Sequence, residues 1–275
     1  MDPWLETICV LVLAFIGMLC GMAFWRLSKP LRLFGYLLPL FIIISLIILR
    51  VISSSALTQP LYWVTISRVK FAILSFTVPM GLIAPLPKLP HRWEKIATCI
   101  VTSIFIVVFS FPPFLAPALV RNDLANIQTK VNSDGICFQS KSYTCAPAAA
   151  VTALRKLGFA AHEGEIAILS HTSPITGTLP WSLYTALQKR YSSDGLNCQY
   201  RRFDSINQLQ DADITLVAVR DTFLSDHCVA VLEVSEDSVT IADPAIGKIS
   251  ISREHFERIW RSSGIALKRR LMQQI

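Results

Sequence analysis

CFQSKSYTCAP, residues 137–147, is the most chemically specific stretch of this chain, and its second cysteine sets the reading of everything around it. Thr144 is a capping residue type, Pro147 suits a first helical turn, AAAVTAL supplies an apolar interior and Gly158 a stop. Together they predict a buried helix over 145–157 that opens on Cys145. In an Ala-rich helix a cysteine is ordinarily a small hydrophobe. At a helix N-terminus the unpaired N–H groups and the dipole favour the thiolate, which is the nucleophilic form.

A thiol nucleophile needs a base, and the sequence around His227, DHCVAVL, reads as a strand. Alternation sends His227, Val229 and Val231 to one face and Cys228, Ala230 and Leu232 to the other. Asp243 falls on the next predicted strand, held extended by the following Pro244. Two neighbouring strands can bring imidazole and carboxylate together, the carboxylate fixing the tautomer and stabilising the imidazolium. His162, His171 and His255 have no comparable acid after them, and His91 belongs to the apolar half. Gln139, six residues before Cys145, reads alone as a polar loop residue. Beside the helix start its amide, with the Cys145 N–H, supplies two donors for a tetrahedral oxyanion.

The domain carrying these residues spans 135–275, behind a polar and helical connector at 121–134. Helices are predicted at 145–157, 163–169, 179–190 (capped by Thr178) and 253–260. Short strands are predicted at 198–203, 214–219, 227–234, 238–242, 248–252 and 265–269, with a hairpin turn at 235–238. Helices followed by an antiparallel sheet give an α+β domain.

The first 120 residues differ in kind. Of all 275 residues 52% are hydrophobic and 16% charged, and the apolar excess sits here. Four transmembrane helices are predicted at about 7–25, 33–49, 71–87 and 96–118, with Pro112, Pro113 and Pro117 ending or kinking the last near Phe111. Three spans is the alternative. Asp2 and Glu6 stand where a cleaved signal would be basic, which favours a retained first helix. Tyr62 and Trp63 suit the headgroup layer. No Lys or Arg precedes the first span and Arg26, Lys29 and Arg32 follow it, placing the N-terminus, and after four crossings the C-terminal domain, on the extracytoplasmic side. The net charge of +7 therefore belongs largely to membrane boundaries, and no aromatic-interleaved basic stripe suggests nucleic acid. Seven cysteines without a CxxC pair disfavour a zinc ribbon or thioredoxin-like motif. Neither cofactor nor metal is expected, and one disulfide among Cys137, Cys198 and Cys228 stays open.

The residues QS (139–140), TCAPAA (144–149), DHCVAV (226–231), ADPAIG (242–247) and FERIW (256–260) also carry a family pattern. Over about 136–269 the chain resembles the bacteriocin-processing, double-glycine-leader cysteine peptidases, a papain-like family. The resemblance implies Cys145 as nucleophile, His227 as general base and acid, Asp243 as orienting residue and Gln139 as oxyanion donor. Ala146 departs from the family's usual Gly after the nucleophile; a helical φ accepts it, at the expense of width in the substrate groove. Many relatives are fused to an ABC transporter, whereas these residues contain no GxxxxGK(S/T) P-loop, so a separate transporter becomes a candidate partner.

The expected function is a membrane-anchored cysteine endopeptidase acting on peptide or protein segments near the bilayer, leader peptides among them, through an acyl-enzyme. The alternative is a non-catalytic membrane peptide-binding or transporter-accessory protein, which would have no need of thiol, base and orienter together. A different acyl transfer through the same thioester is the third reading.

Overall fold

The computed structural model describes residues 3–24, 26–51, 61, 64, 67–222 and 225–270. The headgroup-layer assignment of Tyr62 and Trp63, and the last residue of the first predicted span, Trp25, lie outside them. The described chain forms two compact units that meet in sequence at Leu119 and Val120.

In the first unit four helical stretches are long and apolar enough to cross a membrane: Pro3–Phe24, Lys29–Leu49, Val69–Lys88 and Arg92–Ser110. Helix α1 (Pro3–Phe24) buries Thr7, Val10, Ala14, Gly17 and Gly21, a stripe at helical spacing. A Cβ on Gly17 or Gly21 would strike the backbone carbonyls of Phe76 and Met80 on α3 (Val69–Ile83), so the glycines let two helix backbones touch. Helix α2 (Lys29–Val51) keeps Pro39 inside it, packed against Gly81 of α3. Buried hydroxyls return to their own helices, Ser75 to the Phe71 carbonyl at 2.7 Å and Thr77 to Ile73 at 2.8 Å. That satisfies them without water. Arg68, just before α3, meets Glu6 of α1 at 2.6 Å, a charge pair that neutralises both. Helix α4 (Arg92–Phe105) widens over Ile106–Ser110, where the Phe111 N–H reaches back to the Ile106 carbonyl, and α5 (Pro112–Leu119) restarts on its prolines. At Pro112 and Pro113 a missing N–H removes no helix hydrogen bond, whereas Pro117 lies inside the helix.

The second unit is α+β. The segment 121–134, expected to be helical, holds only α6 (Arg121–Ala125), and β1 (Lys130–Val131) then pairs with β2 (Cys137–Phe138). Helices α7 (Cys145–Lys156), α8 (Glu163–Leu169) and α9 (Pro180–Tyr191) follow. The main sheet contains β3 (Leu196–Arg202), β4 (Ile214–Arg220), β5 (Asp226–Val234), β6 (Ser238–Asp243), β7 (Gly247–Ser252) and β8 (Trp260–Arg269). Its order is β3-β8-β4-β5-β6-β7, antiparallel throughout. The helix before β8, α10 (Arg253–Ile259), ends one residue early because Trp260 is already extended. Strand β8 starts five residues before its predicted place, with Ser262 at φ 52 and a register shift against β4 accommodating the extra length.

Two cores flank the sheet. Ala148, Ala149, Ala150, Val151, Ala153 and Leu154 of α7 are wholly buried on one side with Ala230, Leu216 and Leu267. Val229, Val231, Phe256 and Trp260 pack on the other. The alanines are small on every side of α7, which brings its backbone close to the sheet and leaves no room for longer side chains. Thr152, also buried, donates to the Ala148 carbonyl at 3.2 Å and accepts the Cys137 N–H at 2.9 Å, tying β2 to α7. Thr152→Val preserves shape but strands that N–H, and thermal melting of the purified chain should show a loss of about 1–3 kcal/mol; an unchanged melting temperature would contradict the tie.

Candidate active site

Helix α7 begins at Cys145 as expected, but Thr144 does not cap it. Its hydroxyl instead accepts the Lys141 N–H at 3.1 Å and donates to the Lys141 carbonyl at 3.0 Å, closing the turn that precedes the helix. Pro147 has no N–H, so the first turn of α7 keeps only the Cys145 and Ala146 donors free of a side-chain cap. Thr178 likewise does not cap α9; its hydroxyl bonds Thr172 at 2.6 Å and Leu179 takes the capping position.

His227 and Asp243 approach each other where two hairpin strands run side by side. His227 is the second residue of β5 and Asp243 the last of β6, in a ladder that pairs Ala230 with Ala242. His227 Nε2 lies 2.8 Å from Asp243 Oδ1, and both side chains are mostly buried. With Nε2 engaged, Nδ1 is the nitrogen left for the thiol. Burial disfavours a charged ring, but hydrogen bonds and charge from Asp243 and Cys145 outweigh it and raise the His227 pKa to about 10. Burial would also raise the Asp243 carboxyl; the His227 hydrogen bond and the backbone N–H groups of Ala245 and Ile246 hold it below the usual range instead. Ala245 donates to Oδ1 at 2.7 Å.

The turn that secures Asp243 also secures Gln139. The Gln139 N–H donates to the Pro244 carbonyl at 2.9 Å, joining the end of β2 to the β6–β7 connection. The Gln139 side-chain Oε1 is buried and has no hydrogen-bond partner among the described residues. Thus the structure brings Gln139, Cys145, His227 and Asp243 into one constellation: the Pro244 turn links the first to the last, and His227 interacts with both Cys145 and Asp243.

All seven cysteines are free thiols, so the open disulfide does not form. Burial pushes Cys137 and Cys198 up to about 12, and burial beside the charges of Cys145 and Asp243 pushes Cys228 well above its ordinary value. Those three stay protonated and unreactive, leaving Cys145 as the thiol of this unit that has an imidazole for a partner. Among the described residues no three His, Cys, Asp or Glu side chains are placed to hold a metal ion. Sequence reasoning missed Ser140 and Glu163: the Glu163 carboxylate accepts the Ser140 N–H at 2.8 Å and its hydroxyl at 2.7 Å. A glutamate at a helix start reads as a solvent-facing complement to the dipole, and this one is wholly buried.

A thiol beside a paired imidazole and carboxylate, with amide donors at a helix start, is the equipment of cysteine-dependent acyl transfer. The Peptidase C39 family model matches residues 134–271. An uncharacterized protein of Methanothermobacter thermautotrophicus is 34% identical over 143 residues, 52% of this chain and 94% of that protein. One from Methanothermobacter marburgensis is 31% identical over 147 residues, 54% and 97%. Among solved structures, a double glycine motif protease from an AMS/PCAT transporter, in complex with the leader peptide, aligns at 16% identity and TM-score 0.42, covering 52% of this chain and 93% of that one. The peptidase domain of Streptococcus ComA, a bi-functional ABC transporter, aligns at 21% identity and TM-score 0.42, covering 48% and 96%. The chain belongs to the Peptidase C39 family, and it is a cysteine peptidase.

Because the folded His227 pKa lies above the unfolded value near 6.5, its ion pairing stabilises the fold fully below about pH 6.5 and is lost as pH rises toward 10. NMR titration of the labelled imidazole should follow a cation into alkaline solution, and both Asp243→Asn and Cys145→Ala should lower its midpoint. A midpoint unmoved in Asp243→Asn would refute the pairing.

Proposed function

We propose that this chain is a membrane-anchored endopeptidase of the leader-peptide type, working through Cys145, His227, Asp243 and Gln139. The observation that carries the reading is the 2.8 Å pair of His227 and Asp243, which holds an imidazolium in reach of a cysteine at a helix start. Cys145 sulfur attacks the scissile carbonyl carbon, and the electron pair moves to oxygen, where the Gln139 amide and the Cys145 N–H donate to it. The oxyanion collapses, the C–N bond breaks, and the imidazolium gives its proton to the departing amine. Neutral His227 then takes a proton from water, whose oxygen attacks the thioester; the acid product leaves and the thiolate–imidazolium pair is restored. Asp243 keeps Nε2 occupied throughout, so the free nitrogen faces the reaction.

Family membership supports a peptide substrate of the double-glycine leader type. Three of the four apolar helices of the first unit present Ile8, Phe15, Leu37, Phe41, Ile100 and Val107 outward, which suits hydrocarbon and not water. A lipid bilayer is thus the anchor, and a separate transporter is a partner consistent with the family. Helix α1, which carries Glu6 in its first turn and no Lys or Arg, and the basic residues that follow it favour an extracytoplasmic catalytic unit.

A peptide with a Gly-Gly leader should be cleaved by the intact protein and not by Cys145→Ala, which should also lose labelling by a thiol-reactive peptide probe. Gln139→Ala should lower kcat roughly a hundredfold, about 3 kcal/mol. Undiminished cleavage by Cys145→Ala overturns the mechanism, whereas tight peptide binding without turnover by the intact protein would favour the non-catalytic reading.

Orientation calls for an introduced thiol, since native Cys198 is buried. In a Cys145→Ala background Ser193→Cys, at an exposed position, should react with a membrane-impermeant maleimide in intact cells. Reaction only after permeabilisation would place the unit in the cytoplasm.

A further inference from the structure

The segment from Gln139 to Cys145 has no strand or helix of its own, because β2 ends at Phe138 and α7 starts at Cys145. The N–H groups of its first three residues are nonetheless each held. Gln139 N–H is held by the Pro244 carbonyl, Ser140 N–H by Glu163 Oε1, and Lys141 N–H by the Thr144 hydroxyl. The Ser140 hydroxyl adds a second bond to the same carboxylate, on Oε2, so both oxygens of Glu163 grip one residue. Glu163 itself is located by its own N–H, which donates to Thr129 Oγ1 at 2.9 Å.

A carboxylate with no exposed surface is expensive to bury, and charge-assisted hydrogen bonds are what offset that. Of the donors it meets, two come from the residue next to Gln139. The Gln139 Oε1 has no partner among the described residues, so the direction of that amide is set by its backbone and not by a bond from its own carbonyl.

We propose that Glu163 is a positioning residue for the oxyanion site: by clamping Ser140 through both carboxylate oxygens it fixes the Gln139 amide where the developing oxyanion needs a donor. The inference rests on the reading of Gln139 as an oxyanion donor. Displacement of a catalytic group by about 1 Å is enough to cost up to a hundredfold in rate, so loss of the clamp acts on turnover before it acts on binding.

The test uses the full-length protein in detergent, a fluorogenic peptide ending in Gly-Gly, and iodoacetamide, whose reaction with Cys145 forms no oxyanion. Glu163→Ala should lower kcat at least tenfold with KM changed less than threefold and the alkylation rate unchanged. Glu163→Gln should recover most of the rate, since its carbonyl still accepts the Ser140 N–H and its amide can donate to the Ser140 hydroxyl oxygen. Should Glu163→Ala fail to fold, Ser140→Ala, which removes one of the two bonds, should show the same pattern at smaller size. In a Gln139→Ala background the Glu163→Ala change should have little further effect. If Gln139→Ala is slow and Glu163→Ala multiplies that loss, or if alkylation falls in step with kcat, Glu163 does not act through Gln139 and the proposal fails alone. A Gln139→Ala protein with full activity removes the oxyanion reading and this inference with it.

Discussion

The turn at 243–246 is the constraint on which the catalytic unit depends. One carboxylate oxygen of Asp243 takes both the His227 ring and the Ala245 N–H, while the Pro244 carbonyl between them holds Gln139. Proline at this point permits only an extended residue before it, so the strand ends with Asp243 already presented. His227 and Gln139 are thereby referenced to a single piece of backbone, and Cys145 follows a segment anchored at Gln139, Ser140, Lys141 and Thr144. The buried alanines of α7 complete the arrangement by letting that helix lie against β5, the strand that carries His227.

The two units solve opposite problems with different chemistry. In the first, helices with apolar exteriors approach closely at Gly17 and Gly21, and their buried hydroxyls are satisfied within their own helices. In the second, ordinary burial of Phe203, Tyr191 and Leu216 drives folding, and polarity is concentrated in a few hydrogen-bonded groups at the ends of β5 and β6.

Much of this was legible in the sequence because the signals are local. Apolar run lengths give the four helices, alternation gives the strands, and TCAP gives the start of α7. The approach of His227 to Asp243 follows from their being on consecutive strands of one hairpin, where only the turn at 235–238 lies between them. What could not be read depends on partners far away in sequence. Thr144 and Thr178 have capping chemistry, yet their hydroxyls are taken by Lys141 and Thr172. The strand at 130–131 is decided by pairing with Cys137–Phe138, and no periodicity in so short a stretch announces it. Glu163 was invisible for the same reason, since its role lies in Ser140, 23 residues earlier. Gly17 and Gly21 are unremarkable in an apolar run until another helix is laid against them.

Strand order carries a consequence for how the molecule is made. Strand β8, residues 260–269, lies between β3 and β4, and pairs with both along most of its length. Until it emerges from the ribosome, β3 has no neighbour in the main sheet and β4 lacks one of its two. The four apolar helices, Gln139, Cys145, His227 and Asp243 are all synthesised before this strand arrives. A nascent chain thus holds all four of these side chains, with β5 and β6 able to pair, while the β3 edge of the sheet still waits for residues 260–269.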